Sequence, residues 1–450
     1  MRDLLVFGAM LLFVPLGLSN AFIGYMLWGW AGLIAMNSYV HGFMGIVPFV
    51  QLFALVTMAS LLMRNGDRFE RIEINRTTVL MMLFVVHGFF VALFAYPGLD
   101  RNWELFGNLT KTVLFCLLMP VFVTSRYRIH AMVVMVVLAT SFHGALDGLK
   151  FIASGGGHNA RGIAKFGDNN HFAMVLLMVL PLLYYLYQIS SRKLAKYGFA
   201  VMLPLTAFAV VATASRGALI GLCVIVLFIL MKSRNRVIGI LLVAVSAAVV
   251  VQLAPDSWSE RMETIKTAKE DDSLLGRFGA WRVSSSIALH NPVFGGGFRA
   301  VQSSVLWDGF KDGPTLLPFI EVAPSSPSGL AAHSIWFEVM GDMGFVGFLL
   351  FVGLVANAFL TRREILKLTK GRGPSLRWAS DLADMLGAAL LAFVVTGSLL
   401  SAAYFELPYI FLILLEVLKQ HVLKTVAAER KAATPQAALR PESLSPPRPS

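Results

Sequence analysis

Three short segments carry the side chains of this chain that are best suited to chemistry on an anionic substrate. They are Ser215-Arg216-Gly217, Gly276-Arg277-Phe278-Gly279-Ala280-Trp281-Arg282 and Ala331-Ala332-His333-Ser334. Arg216 and His333 each stand where an apolar run begins, so both are expected at a membrane edge. A guanidinium next to the N–H groups of a helix N-terminus can bind phosphate, and an imidazole suits proton transfer at neutral pH. In one interpretation of these segments, Arg216 and Arg277 bind phosphate and His333 accepts a proton.

Each of these three residues also has a purely structural interpretation. Arg216 could be an anchor that reaches to the lipid interface, and His333 could do no more than bond to lipid headgroups. Arg277 lies in the stretch from Leu275 to His290, whose pattern predicts an amphipathic helix. Such a helix could simply lie on the membrane surface with its arginines near the headgroups. The sequence leaves both interpretations open.

Further polar groups occur in the glycine-rich connection 154–170 and in the long polar loop 254–332. The candidates for binding a diphosphate or sugar hydroxyls are Arg161, Lys165, Asn170, His171 and Arg282. A plain exposed loop is the alternative for 154–170. The three consecutive glycines 295–297, after Asn291-Pro292, predict a flexible turn near the substrate. These loops hold no His/Cys ligand set, so neither a metal nor a cofactor is expected.

The elements that must position these residues are membrane helices. The chain has 450 residues, of which 57% are hydrophobic and 14% are charged, and its mean hydropathy is +0.70. Soluble domains carry about 25% charged residues, and apolar runs long enough to cross a bilayer recur along this chain. The predicted fold is an all-α polytopic membrane protein with about 12 or 13 spans, at 4–18, 21–37, 43–63, 78–96, 105–123, 130–153, 171–188, 197–213, 217–231, 237–253, 334–360, 379–400 and 404–421.

Positive charge is distributed unevenly over the connections between these spans. One set of connections holds Arg64, Arg68, Arg71, Arg76, Arg126, Arg128, Arg192, Lys193, Lys196, Lys232, Arg234, Arg236, Arg362, Arg363, Lys367, Lys370, Arg372 and Arg377. The positive-inside rule puts this set in the cytoplasm, so 154–170, Arg216 and 254–332 face the other side by alternation. The net charge of +12 follows this rule and does not indicate a nucleic-acid partner. The sequence thus predicts a multi-pass protein of the inner membrane whose candidate site faces away from the cytoplasm.

This organisation divides the chain into five parts. Residues 1–153 are N-terminal spans, and 154–253 are spans with the glycine-rich connection and the Ser-Arg-Gly segment. Residues 254–332 form one large periplasmic loop, and 333–426 are C-terminal spans. Residues 427–450, rich in Pro, Ala, Ser, Arg and Lys, are expected to be a disordered cytoplasmic tail.

In order and spacing, these segments resemble the bacterial O-antigen ligase and polymerase superfamily. The matching pieces are Ser215-Arg216-Gly217, Arg277-x-x-x-Trp281, Asn291-Pro292-x-x-Gly295-x-Gly297, and His333-Ser334 followed by Glu338 and Gly341-Asp342-Met343-Gly344-Phe345-Val346-Gly347. A further segment is similar through Arg161, Gly167, Asn169 or Asn170, and Pro181. The family usually has Asn after the histidine, where this chain has Ser334. Residues 155–159 and 167–171 look most like a subgroup, the O-glycosylation ligases found with exosortase A systems.

The resemblance implies a GT-C-type integral membrane glycosyltransferase that is metal-independent and inverting. It would take a glycan from undecaprenyl diphosphate on the periplasmic face and pass it to a hydroxyl of lipid A core, a protein or another glycan. The family's conserved arginines and loop histidine correspond to Arg216, Arg277 and His333, with Arg161 or Arg282 as helpers. A polymerase of the same superfamily is the nearest alternative. A flippase or other transporter of lipid-linked oligosaccharides is the alternative from another class.

Overall fold

The computed structural model describes residues 2–63, 74–232, 272–320, 322 and 328–438, and this part of the chain is built from helices without a strand. It contains fourteen α-helices: α1 (Arg2–Ser19), α2 (Ala21–Ile34), α3 (Phe49–Met63), α4 (Arg76–Leu93), α5 (Asn102–Phe122), α6 (Arg126–Ala153), α7 (Asn169–Ile189), α8 (Lys193–Ala212), α9 (Arg216–Lys232), α10 (Asp272–His290), α11 (Ser304–Phe310), α12 (Ile335–Thr369), α13 (Pro374–Gly397) and α14 (Glu406–Ala438). The prediction of an all-α polytopic membrane protein is confirmed.

Eight of the described helices are long and apolar enough to cross a bilayer, namely α1, α4, α5, α6, α7, α8, α12 and α13. The apolar helices α2, α3 and α9 are shorter. Every predicted span within the described residues overlaps one of these helices or α14, because a long apolar run is visible in the local sequence. The span predicted at 237–253 and the first part of the polar loop, 254–271, lie outside the described residues. The total of 12 or 13 spans therefore stays a prediction.

Helix α7 runs through the centre of the bundle. Its residues 172–183 are all buried, and it packs against α6, α8, α9 and α13. A helix that is apolar on every face is stable inside a protein core or a bilayer, and here its neighbouring helices cover it. The packing therefore fixes the first turn of α7, which carries two of the candidate binding residues, relative to four neighbouring helices.

Helix α12, with 35 residues, runs from one end of the bundle to the other. Near its last residues lie two of the predicted cytoplasmic cations, which form ion pairs: Arg76 with Glu364 at 3.5 Å, and Arg372 with Glu429 at 3.4 Å. The first residues of α12 follow His333 directly, at the opposite end. We call that opposite end the site end. The structure thus separates the basic connections from the candidate site by the length of the bundle.

The C-terminal helix is longer than the sequence predicted. Disorder was expected from residue 427, whereas α14 continues to Ala438. Residues 427–433 are Ala, Glu, Arg and Lys, and these residue types have high helix propensity. They extend a helix that the preceding apolar residues have already nucleated. Residues 439–450 lie outside the described part of the chain.

Candidate functional site

At the site end, Ser401 joins two segments that are far apart in the chain. Its carbonyl oxygen accepts a hydrogen bond from Nε2 of His171 at 2.7 Å, and its hydroxyl accepts one from the backbone N–H of His333 at 2.8 Å. Ser401 lies in the connection between α13 and α14, whereas His171 is in the first turn of α7. Two residues predicted to serve the site are thus brought together through a third.

Two carboxylates of α12 hold the same connection. The backbone N–H of Ala403 donates to Oε2 of Glu338 at 2.9 Å, and the hydroxyl of Tyr404 donates to Oδ2 of Asp342 at 3.1 Å. Both carboxylates are buried and lie one helical turn apart. These bonds hold the connection that contains Ser401 on the first turns of α12.

The imidazole of His333 is half-buried beside charged groups. Burial and the positive charge of Arg277 lower the pKa of His333, Asp168 opposes this shift, and His171 adds to it. The backbone of His333 has a φ of 44°, a left-handed conformation that is uncommon for residues other than glycine. Because its pKa is lowered, the imidazole is neutral at neutral pH, and the neutral form is the one that accepts a proton.

Helix α10 brings Arg277 close to His333. Trp281 lies one turn further along the same face of α10. It donates its indole N–H to the carbonyl oxygen of Ala332 at 2.7 Å and stacks on Phe337 with ring centroids 5.1 Å apart. These contacts hold the face that carries Arg277 against the residue before His333. The effect of Arg277 on the pKa of His333 agrees with this placement.

Arg282 faces a different part of the loop. Its Nε donates to the carbonyl oxygen of Lys311 at 2.9 Å, and its Nη1 donates to that of Ile320 at 2.6 Å. Five residues separate it from Arg277, so the two side chains point in different directions around α10. The structure gives Arg282 the role of holding 311–320 to the helix, while its role in substrate binding stays a prediction.

Arg216 is the first residue of α9 and is exposed. The buried Ser215 caps the helix, since its Oγ accepts the backbone N–H of Ala218 at 3.3 Å. The turn before α9 is bound to the start of α7, because Nδ2 of Asn169 donates to the carbonyl oxygen of Thr213 at 2.8 Å. Arg216 therefore lies at the site end, near the first turn of α7.

The other candidate residues of the 154–170 connection have different surroundings. Lys165 forms an ion pair with Glu406 and also donates to the carbonyl oxygen of Gly32. Arg161 is exposed, and Asn170 is half-buried in the first turn of α7. The charge of Lys165 is thus already compensated within the protein, which leaves Arg161 as the more accessible cation of this connection.

Asp168 caps α7 and binds His171 twice. Its Oδ1 accepts the backbone N–H of His171 at 2.9 Å and lies 3.0 Å from the ring Nδ1. Burial alone would raise the pKa of Asp168, but the hydrogen bonds from His171 and Asn170 outweigh it and lower the pKa to about 2. The carboxylate is therefore ionised at neutral pH.

The glycine turn at 295–297 is a packed connection between α10 and α12. The backbone N–H groups of residues 296 and 297 donate to the carbonyl oxygens of Gly341 and Asp342, each at 2.9 Å. All three glycines are buried, and a Cβ on Gly295 would lie 2.5 Å from the backbone nitrogen of Gly344. The turn is therefore fixed to α12 and is not the flexible element that its glycines predicted.

Sequence reasoning missed three residues of this region: Asp168, Arg299 and Ser401. Asp168 had a local signal, because an aspartate directly before an apolar helical run is a frequent N-cap. Arg299 is half-buried, has a φ of 62° and acts electrostatically on Glu338. Neither Arg299 nor Ser401 had a local signal, since their partners lie far away in the chain.

The described residues contain no group of three or more His, Cys, Asp or Glu side chains that could hold a metal ion. What they bring to the site end is a guanidinium beside a neutral imidazole, a second guanidinium at a helix N-terminus, and an imidazole–carboxylate pair. Such groups can stabilise developing negative charge and accept a proton. The expectation that the chemistry needs neither metal nor cofactor stays a prediction.

Two family models match the chain. Residues 199–352 match the model described as O-antigen ligase, and residues 1–191 match a family of unknown function (DUF5935). No curated protein matches. The first range contains Arg216, Arg277 and His333, and the second contains Asp168 and His171. The site end is thus built from both matched regions.

Proposed function

We propose that this chain, which belongs to the O-antigen ligase superfamily, is a membrane glycosyltransferase that moves a glycan from undecaprenyl diphosphate onto an acceptor hydroxyl. The matched domain supports an O-antigen ligase or polymerase type of function in a membrane. The acceptor is lipid A core, a protein or another glycan. The site end faces the periplasm from the inner membrane, a side supported by the basic residues at the other end of the bundle.

His333 serves as the general base in this proposal. A ring nitrogen accepts the proton of the acceptor hydroxyl while the hydroxyl oxygen attacks the anomeric carbon. The bond from that carbon to the diphosphate oxygen breaks, and its electron pair leaves with the diphosphate. One displacement inverts the anomeric configuration. The lowered pKa of His333 supports this role, because a base must be neutral before it accepts the proton.

Arg277 and Arg216 stabilise the negative charge that develops on the leaving diphosphate. A guanidinium can bind two phosphate oxygens at once, and it acts most strongly where water is scarce. The placement of Arg277 beside the neutral His333 is the observation that carries the proposal. The proposed role of Arg216 in binding the diphosphate is supported by its position at the N-terminus of α9, where backbone N–H groups also attract an anion. Arg161 and Asn170 complement the site as glycan-binding residues.

The test uses the purified full chain in detergent, an undecaprenyl diphosphate-linked glycan and each acceptor class in turn. Formation of a new glycosidic bond, detected by mass spectrometry in the wild type and absent in the His333→Ala variant, is the expected result. A longer lipid-linked glycan as the product would assign the polymerase type. If the wild type moves the donor across vesicles and makes no bond with any acceptor, the chain is a transporter and the proposal is wrong.

A further inference from the structure

Both ring nitrogens of His171 face hydrogen-bond acceptors. Nδ1 lies 3.0 Å from Oδ1 of Asp168, and Nε2 lies 2.7 Å from the carbonyl oxygen of Ser401. A carbonyl oxygen can only accept, and an ionised carboxylate can only accept. Asp168 is ionised at neutral pH, because the hydrogen bonds that it accepts from His171 and Asn170 lower its pKa to about 2. Both nitrogens of His171 must therefore carry a proton, so the ring is an imidazolium paired with Asp168.

This ion pair reaches His333 through Ser401. His171 holds the carbonyl oxygen of Ser401, and the hydroxyl of the same serine accepts the backbone N–H of His333 at 2.8 Å. His333 has a left-handed backbone, with a φ of 44°. A non-glycine residue keeps such a conformation only when its surroundings determine it. The hydrogen bond to Ser401 is one such contact, and it acts on the backbone of His333 itself.

We propose that Asp168, His171 and Ser401 are positioning residues that fix the backbone of His333 and keep its imidazole ready to accept a proton. This inference rests on the proposed role of His333 as the general base. It also replaces the earlier expectation for His171, because neither of its ring nitrogens is left to bind a diphosphate or a sugar hydroxyl.

The charges around His333 explain how its imidazole is kept ready to accept a proton. Arg277 faces it from α10, His171 faces it from α7, and Asp168 faces it from the cap of α7. The two cations oppose protonation of His333, whereas the carboxylate favours it. An imidazolium at position 171 therefore offsets Asp168 and adds to the effect of Arg277. Without that cation, only Arg277 would oppose the effect of Asp168 on the pKa of His333.

The experiment is steady-state transfer measured from pH 5 to pH 9, with the donor varied, for the wild type, His333→Ala and four further variants. Ser401→Ala removes the hydroxyl, and Ser401→Thr keeps it. His171→Gln keeps a donor for the carbonyl oxygen of Ser401 but removes the charge. His290→Gln is the matched control, since His290 is exposed at the end of α10 and contacts Phe310 edge-to-face.

We expect Ser401→Ala to lower kcat about fivefold, as the loss of one hydrogen bond worth roughly 1 kcal/mol predicts. Its KM for the donor and the acidic limb of its pH profile should stay near the wild-type values, and Ser401→Thr should recover most of the rate. His171→Gln should lower kcat and shift the acidic limb to higher pH, because His333 loses a neighbouring positive charge. His290→Gln should match the wild type.

Two outcomes would overturn the positioning role while leaving the base role intact. In the first, His333→Ala is inactive but Ser401→Ala and His171→Gln keep the wild-type kcat and pH profile. In the second, His171→Gln raises the donor KM without changing kcat, which would make His171 a binding residue. An inactive wild type would instead overturn the proposed function and this role with it. Should His171→Gln fail to accumulate in the membrane, the comparison of Ser401→Ala with Ser401→Thr decides alone.

Discussion

The indole N–H of Trp281 donates to the carbonyl oxygen of Ala332 at 2.7 Å, so α10 is hydrogen-bonded to the residue that directly precedes His333. One turn back on the same face of α10, Arg277 acts on the pKa of the imidazole. A single helix of the polar loop therefore sets both the position of the chain before the candidate base and the charge beside it. The tryptophan and the arginine, four residues apart, therefore act on the same short segment, Ala332-His333.

The charge of Arg277 can be tested through the pH dependence of transfer. Arg277 lowers the pKa of His333, so Arg277→Gln should raise that pKa. A base is active when it is neutral, and the acidic limb of the rate profile follows its pKa. The limb should therefore move to higher pH in the variant. Arg101→Gln is the control, since Arg101 is exposed and pairs with Glu104 at 2.7 Å; an unmoved limb in Arg277→Gln would separate Arg277 from His333.

The base itself gives the largest expected effect. His333→Ala should lower kcat by about 10² to 10⁴, the usual contribution of general-base catalysis, without reducing the amount of protein in the membrane. The rate of glycan transfer and the level of folded protein, from size-exclusion chromatography in detergent, are the two measurements. Transfer at the wild-type rate would remove His333 from the base role.

The helices could be predicted from the sequence, whereas most partners of the site residues could not. Apolar run length is a local property, and it located α4 to α8 directly. The partners are set by packing between distant helices. Lys165 illustrates the difference: its type and position made it a candidate for binding a diphosphate or sugar hydroxyls, whereas its ion-pair partner Glu406 lies 241 positions further along the chain.

Ser401 shows the same limit of sequence-based prediction, as a residue that the sequence did not indicate. Nothing in its local sequence marks it, because it is one small residue in a short connection. Its significance arises from two hydrogen bonds to residues 68 and 230 positions away. The motif residues 341–344, in contrast, could be recognised in the sequence. The reason for the glycine at 344 appears only in the structure, where α12 bends at this residue.

The guanidinium geometry at Arg216 leads to a third prediction. Arg216→Lys keeps the positive charge but replaces a planar group with two parallel donors by a compact ammonium. If Arg216 binds two phosphate oxygens, transfer should fall by about tenfold or more, equivalent to roughly 1.4 kcal/mol of lost transition-state stabilisation. The kcat/KM for the lipid-linked donor is the measurement. A variant that works as well as the wild type would indicate an interfacial anchor.

Metal independence is the fourth prediction. The candidate site relies on arginines and an imidazole, and the described residues hold no group of side chains suited to a metal ion. Transfer by the purified protein should therefore continue at the wild-type rate in excess EDTA. An assay with EDTA, and with EDTA followed by excess magnesium, tests this directly. Activity that EDTA abolishes and magnesium restores would contradict the proposed charge stabilisation by Arg216 and Arg277.

The bend of α12 at Gly344 leads to a prediction about stability. Its backbone has a φ of 67° and a ψ of −170°, a region that is essentially reserved for glycine and costs other residues on the order of 1–3 kcal/mol. A Cβ at this position would also lie 2.7 Å from the carbonyl oxygen of Pro292. Gly344→Ala should therefore loosen the contact between the glycine turn and α12 and lower the apparent unfolding temperature in detergent. Gly309→Ala is the matched control, because Gly309 lies in α11 and a Cβ there would meet nothing within 4 Å. If both variants unfold at the wild-type temperature, the bend does not hold α10 and α12 together.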